Sequence, residues 1–210
     1  MDLKKQKTYK KVFDIACKTL VDSDCESQFI NAGVLYEKIS DQYSVGVKYF
    51  NEIIKISIPE FSFHSSRASN VTLATKIIIL HYLNAAGGLL PGVDKISYED
   101  IPGLTGYRPV FEKRAVYPLV KAFGFDKHVF LETGLSMGGV LENYGDASFT
   151  LFAFPRIPIT FILWEGDEEF PPSVKMLFDP SITGYLPLED ITVISKLASI
   201  RIIKEARLRN

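Results

Sequence analysis

Apolar side chains recur along this chain first at helical spacing, then in strict alternation, and the two periods exchange again before a last helical stretch. From about Leu3 to Leu20, the positions Leu3, Val12, Phe13, Ala16 and Leu20 predict an amphipathic helix that docks by one face. "QYSVGVKY" and "EIIKISIP" are β-rich runs separated by the turn-prone Phe50, Asn51 and Glu52, which predicts a hairpin that ends at Pro59. "VTLATKIIILHYLNAAGG" follows the capping residues Ser69 and Asn70 and stops at Gly87 and Gly88, so it reads as a helix. It is apolar nearly all round and belongs in an interior.

Beyond it, "DKISYEDIPGLTGYRPV" is a connection punctuated by Gly and Pro. "FEKRAVYPLVKAFG" reads as a helix that Pro118 kinks or starts anew, and "KHVFLETGL" as a short helix closed by Gly138 and Gly139. From Ala147 the period becomes two. "ASFTLFAF" and "PITFILW" flank a Pro155-Arg156 turn, and "SVKMLFD" follows the acidic turn "EGDEEFPP", which predicts a three-stranded antiparallel meander. One face carries Phe149, Leu151 and Ala153, the other Phe152 and Phe154; on the next strand Ile159, Phe161 and Leu163 oppose Ile162 and Trp164. A sheet apolar on both sides must be covered on both, by helices, by a partner chain or by a flat hydrophobic ligand.

A last helix starts near Pro187, with Glu189 and Asp190 in its first turn, basic residues in its last, and Leu188, Ile191, Ile194, Ala198 and Ile202 as its stripe. Together the elements predict an α+β fold in which an antiparallel sheet, an N-terminal hairpin plus a C-terminal three-stranded meander, packs with helices. No repeat or linker interrupts the order, so residues 1–210 are expected to form a single domain.

Composition narrows the function classes. The 210 residues are enough to bury roughly 70% of the extended-chain surface, and 47% apolar with 23% charged residues describes a globular chain. A formal net charge of -1 gives no field for a polyanion. Basic residues gather only at the ends, Lys4, Lys5, Lys7, Lys10 and Lys11 at one and Arg201, Lys204, Arg207 and Arg209 at the other. No aromatic stacking positions are interleaved with them, so they read as solvated helix faces and no nucleic-acid partner is expected. Cys17 and Cys25 are too few for a four-cysteine metal or iron-sulfur site, and Cys17 shares the Phe13, Ala16, Leu20 face as a small buried hydrophobe. Without a signal-peptide run or a stretch of membrane-spanning length, the expectation is a cytoplasmic protein with free thiols and no membrane partner.

The candidate chemistry is dispersed. The acids Glu165, Asp167, Glu168 and Glu169 could hold Ca²⁺ or Mg²⁺, with Asp167 and Glu168 the metal candidates, although such a cluster at a hairpin tip ordinarily serves as a soluble turn that protects the sheet edge. Asp146 and Asp179 would join only if the fold brings them near. Arg156, stiffened between Pro155 and Pro158, could receive a carboxylate or phosphate, or else pair with a nearby acid or cap a helix C-terminus. Arg108 and Tyr107 in "TGYRP" repeat the theme of a basic group beside an aromatic. Of His64, His81 and His128, His81 is best placed for a haem or cobalt ligand, its simpler role being that of a hydrogen-bonded core residue. Trp164, the sole tryptophan, could stack on a planar ligand or anchor an interface, and core packing is its simpler account. "GLSMGG" fits GxSxG at Gly134, Ser136 and Gly138, but no strand leads into it and a flexible loop is expected. Neither a P-loop nor a dinucleotide fingerprint occurs.

The runs "IIILHYLNAAGG", "ISYEDIPG", "YRPVFEKRAVYPLVKAFG", "GDASFTLFAFPRIPITFILWEGDEEFPPSVKMLFD" and "LPLEDI" resemble a prokaryotic family known as a domain of unknown function, DUF3786, over roughly Gln42 to the end. "FPRIPITFILWEGDEEFP" is the most specific part. The resemblance implies context and no activity: members occur chiefly in anaerobes, and some carry an iron-sulfur module like that of corrinoid methyl-carrier proteins. This chain lacks that module's four cysteines, so an iron-sulfur role is not implied for it. A tetrapyrrole or corrinoid connection is an analogy at family level.

The reading that joins these signals is a non-catalytic small-ligand-binding domain, with a corrinoid or haem as its sharpest cofactor and His81, Tyr107, Arg108, Arg156 and Trp164 as binding residues. The alternatives are an interaction module that docks on a redox or methyl-transfer protein partner, with a homo-oligomer compatible, and a divalent-metal enzyme that uses the acidic turn. Binding is preferred to catalysis because no nucleophile and base can be paired.

Overall fold

A computed structural model describes residues 3–68 and 70–209, the first three of them by backbone alone. Ser69, one of the expected caps, and the side chains of Lys4 and Lys5 lie outside the described residues. The fold is α+β with antiparallel sheets. The hairpin and the meander occupy separate sheets, and the chain forms two compact units. The first unit holds the described residues up to Leu90 with Phe154–Arg156 and Gly184–Pro187; the second holds Pro91–Ala153, Ile157–Thr183 and the described residues from Leu188.

In the first unit, helices α1 (Leu3–Val21) and α2 (Cys25–Ala32) precede a sheet of β1 (Leu35–Ile39), β2 (Gln42–Tyr49), β3 (Glu52–Ile58) and β4 (Ser62–Ser65), in that order, followed by α3 (Leu73–Ala85). The predicted hairpin is β2 and β3. Val45 faces Ile56 and Val47 faces Ile54, all buried, so alternation sets the register. The cap of α3 differs from expectation. Thr72 accepts the Thr75 amide at 3.2 Å, two residues after Asn70, because its backbone is extended where the helix begins. The short segments join this unit through Tyr82, whose ring stacks on Phe154 at 4.3 Å and on Tyr185 at 5.7 Å. The Tyr82 hydroxyl donates to the Ala32 carbonyl and accepts the Arg156 amide at 3.2 Å. Burial pushes that phenol well above its ordinary range.

In the second unit, β5 (Ile96–Ser97) leads to a helix built in pieces: α4 (Arg108–Phe111), a π-turn over Glu112–Val116, and α5 (Tyr117–Phe123). The Tyr117 amide reaches back to the Glu112 carbonyl. Pro118 thus restarts the helix, as predicted, but through a widened turn. Then follow α6 (Lys127–Ser136), β6 (Val140–Leu141), β7 (Ala147–Phe154, its last residue counted with the first unit), β8 (Ile157–Trp164), β9 (Ser173–Phe178) and α7 (Leu188–Arg209). The sheet order is β5-β9-β8-β7-β6, so the predicted meander is its centre.

Strands β7 and β8 are buried on both faces. One face is a ladder of rings: Phe123 on Phe130 at 5.5 Å, Phe130 on Phe149 at 4.8 Å, Phe149 on Phe161 at 5.4 Å. Helix α6 comes so close that a methyl on Gly134 would lie 2.4 Å from the Phe149 ring. The other face is not simply apolar. Thr150 and Thr160 share a hydrogen bond of 2.7 Å, Thr150 donates to Glu142 at 2.6 Å, and Glu142 pairs with Lys95 at 2.7 Å. Among the described residues, no helix is long and apolar enough to cross a membrane.

Replacing Gly134 by Ala should overpack this contact and cost about 1–3 kcal/mol. Gly106→Ala, where an added methyl meets nothing within 4 Å, should stay within about 0.5 kcal/mol. Urea unfolding of the two variants makes the comparison, and equal midpoints would contradict the close approach of α6 to β7.

Candidate ligand-binding site

The second unit contains a groove of about 280 Å³ lined by Glu99, Arg108, Phe111, Glu112, Val116, Trp164 and the β9 run Ser173–Met176. Each wall has a local cause. Phe111 is held by a parallel stack on Tyr98 at 3.9 Å, and the Tyr98 hydroxyl is bonded to Thr192 of α7. The π-turn stacks Tyr117 above Glu112, five residues apart, and the Tyr117 hydroxyl donates to Glu112 Oε2 at 3.3 Å. Arg108 Nε donates to Glu112 Oε1 at 2.8 Å from a side chain that is 55% exposed. That hydrogen bond, with the charges of Glu112 and Glu99, raises the Arg108 guanidinium further above its usual value.

Trp164 ends β8 directly opposite Ser173 and is 40% exposed. Core packing, the simpler expectation for it, is therefore corrected: at the strand's last position its ring is left part-exposed. Gly145 lies beneath it, where any Cβ would meet Ile162 at 2.8 Å and the indole at 3.2 Å. Lys175 is exposed on β9, and its charge adds to the pull of the Ser97 hydroxyl and amide that holds Asp100 below the ordinary carboxylate range.

Of the five predicted binding residues, Arg108 and Trp164 share this groove. Tyr107 is 52% exposed just before Arg108 and is not among the lining residues. Arg156 belongs to the first unit, where its guanidinium lies over Gly33, the left-handed C-cap of α2 at φ 66°. A Cβ on Gly33 would be 2.9 Å from Arg156 Nε, a buried nitrogen with no hydrogen-bond partner. A cation over a helix C-terminus is favourably placed, which is the capping role weighed for Arg156. His81 also lies in the first unit, half-buried on a shallow apolar groove of about 340 Å³ with Val12, Ile15, Ala16, Thr19, Asn84, Ala85 and Pro187.

The acidic turn satisfies itself. Glu165 accepts the Lys127 amide at 3.0 Å and pairs with its ammonium at 3.2 Å; both lower its pKa. Asp167 accepts the amides of Phe170 at 2.7 Å and Glu169 at 2.8 Å, which lower its own. Glu168 is exposed. Asp146 takes the Glu165 amide, and Asp179 takes those of Gly92 and Ser181. Among the described residues no group of three or more His, Cys, Asp and Glu side chains is gathered as metal ligands would be. Gly134 and Ser136 form the last turn of α6 rather than a flexible loop, and the Ser136 hydroxyl donates to the Thr133 carbonyl at 2.8 Å.

Sequence reasoning missed Glu112, Lys175 and Glu99. The four-residue spacing of Arg108 and Glu112 was a readable signal; the meeting of that pair with Lys175 and Trp164 was not, since it depends on pairing across the sheet. The Lys95–Glu142–Thr150–Thr160 layer was likewise hidden behind an apolar alternation.

The DUF3786 family model, a domain of unknown function, matches residues 24–201, so the chain belongs to that family. No curated protein and no solved structure matches it.

Partial burial, the largest influence on Glu142, works to raise its pKa, yet Lys95 and Thr150 together bring it below the ordinary 4.5. A carboxyl depressed on folding stabilises the fold above its unfolded pKa and loses that contribution as pH falls through the folded value. Unfolding free energy should therefore drop below about pH 4.5 more steeply for the wild type than for Glu142→Gln. Urea titrations from pH 3 to 7 measure both slopes, and parallel curves would show that the pair does not contribute.

Proposed function

From membership of a family without an assigned activity, and from the groove's chemistry, we propose that this protein is a non-catalytic domain that binds a small ligand between Trp164, the Arg108–Glu112 pair and β9. One observation carries the reading. An indole 40% exposed lines a groove whose other walls hold charges of both signs, a combination that stacks a planar group and orients its polar ends. Ser173 is the hydroxyl among the lining residues, and no histidine lies among them to activate it, which favours binding over nucleophilic chemistry.

A volume of about 280 Å³ sits at the lower edge of ordinary ligand pockets, so the groove encloses a small ligand, or the part of a longer one that lies in it. The tetrapyrrole version of the reading draws on His81 and the apolar groove of the first unit, where no charged side chain stands ready for a macrocycle's carboxylates. The residues fit that group poorly. It enters as an arm of the test.

Trp164 is the only tryptophan, so its fluorescence reports this groove alone. Titration with 8-anilinonaphthalene-1-sulfonate should give saturable quenching, and Arg108→Ala should weaken it about tenfold, or about 1.4 kcal/mol for a lost charge-assisted contact. Haem and cobalamin are titrated anaerobically in parallel. A spectral shift that weakens in His81→Ala would move the site to the first unit, while no response to any of the three would refute the binding reading.

A further inference from the structure

One wall of the groove is backbone. Strand β9 pairs along its whole length with β8, from Ser173 opposite Trp164 to Phe178 opposite Ile159. On its other side β5 reaches only Leu177 and Phe178. Ser173–Met176 therefore turn an unpaired edge away from β8, and all four line the groove. The described hydrogen bonds outside the strand ladders include none to these residues. Arg108, Phe111, Glu112 and Val116 line the same groove, and Phe111 packs edge-on against Phe178 at the end of β9 at 6.2 Å.

In an antiparallel strand the N–H and C=O of one residue point to one neighbour and those of the next residue to the other. An alternate pair among Ser173–Met176 thus aims donors and acceptors into the groove. An edge about 13 Å long that has no strand beside it and lines a groove is the shape that takes up an extended peptide as an added strand. The side chains say which peptide. On the face of the buried Val174 and Met176, an added residue meets Phe111 and Val116. On the face of the exposed Lys175, the residue directly opposite meets an ammonium, where an acid is favoured and a base disfavoured.

We propose that the groove's ligand is a short extended peptide segment that adds to β9 along Ser173–Met176, with an apolar side chain against Phe111 and Val116 and an acidic one opposite Lys175. This rests on the reading of the groove as the binding site and names its ligand class.

The test selects peptides from a displayed random dodecapeptide library on the full-length protein, then measures three things on the enriched sequences. Binding should fall at least tenfold when alternate backbone nitrogens are N-methylated and stay unchanged when the intervening ones are. Hydrogen exchange should slow at an alternate pair of amides within Ser173–Met176. Selection on Lys175→Glu should replace the favoured acid by a base. Enriched peptides that tolerate N-methylation at every position, or that leave those amides unprotected, would overturn strand addition. If no peptide is enriched while anilinonaphthalene sulfonate still quenches Trp164, the peptide class falls and the groove remains a ligand site; if neither binds, both fall together.

Discussion

Pro118 has no amide hydrogen to return to the preceding turn, and the helix that contains it widens just ahead of it. That constraint organises the second unit's groove. In a π-turn, residues five apart stack, so Tyr117 comes to lie over Glu112 as well as returning its amide to the Glu112 carbonyl. Glu112 is then held at both carboxylate oxygens, by Arg108 at one and Tyr117 at the other. A regular α-helix, at 3.6 residues per turn, would carry Tyr117 roughly 140° past Glu112, well over a third of a turn, and the ion pair would lose its second anchor. The Ser199 hydroxyl donates to the Ala115 carbonyl at 2.7 Å, so the widened turn is also bonded from α7.

Much of the fold was legible because the strongest signals were local. The hairpin could be read from alternation broken at Phe50 and Asn51, and the meander from alternation broken at Pro155 and at the acidic turn. The short strands β1, β4, β5 and β6 could not, since two to five residues carry too little periodicity and β1 is exposed at four of its five positions. Nor could the division into two sheets be foreseen. Alternation says which face of a strand is buried and nothing about which other strand it pairs with. Thr150 and Thr160 show the same limit from inside the core: each looks like an interruption of an apolar pattern, and only their register beside Glu142 and Lys95 makes them a bonded layer.

The site was half legible for a related reason. Arg108 and Trp164 were singled out by residue type, the one beside an aromatic on a loop, the other as the lone indole, and the fold brings both to one groove. Arg156 and His81 were singled out by the same logic and lie in the first unit. A guanidinium on a stiff turn can meet a ligand or the end of a helix, and Gly33, with no side chain and a left-handed backbone, makes room for the second. The acids of the turn behave likewise: Glu165 and Asp167 are each satisfied by backbone amides a few residues or one helix away. Residue type identifies the groups able to bind; only the fold decides which of them have already been bound by the protein itself.

Unpaired strand edges are a hazard that proteins close with a neighbour, a cover or a charge. At Ser173–Met176 the neighbour stops short, because β5 gives way to a short helical turn after Ser97. The charge is present in Lys175, which would repel a basic strand and admit an acidic one. The cover is present only in part, since the Arg108–Val116 helix stands off far enough to leave a groove. Edge protection alone would be served better by closing that gap, as bulky side chains at Ser173 or Val116 would do. The short side chains of Ser173 and Val116, an ion pair fixed by the π-turn, and an indole lodged over Gly145 and still 40% exposed instead keep the edge accessible while fixing the charges around it, so an arriving strand would meet donors, acceptors and counter-charges already in place.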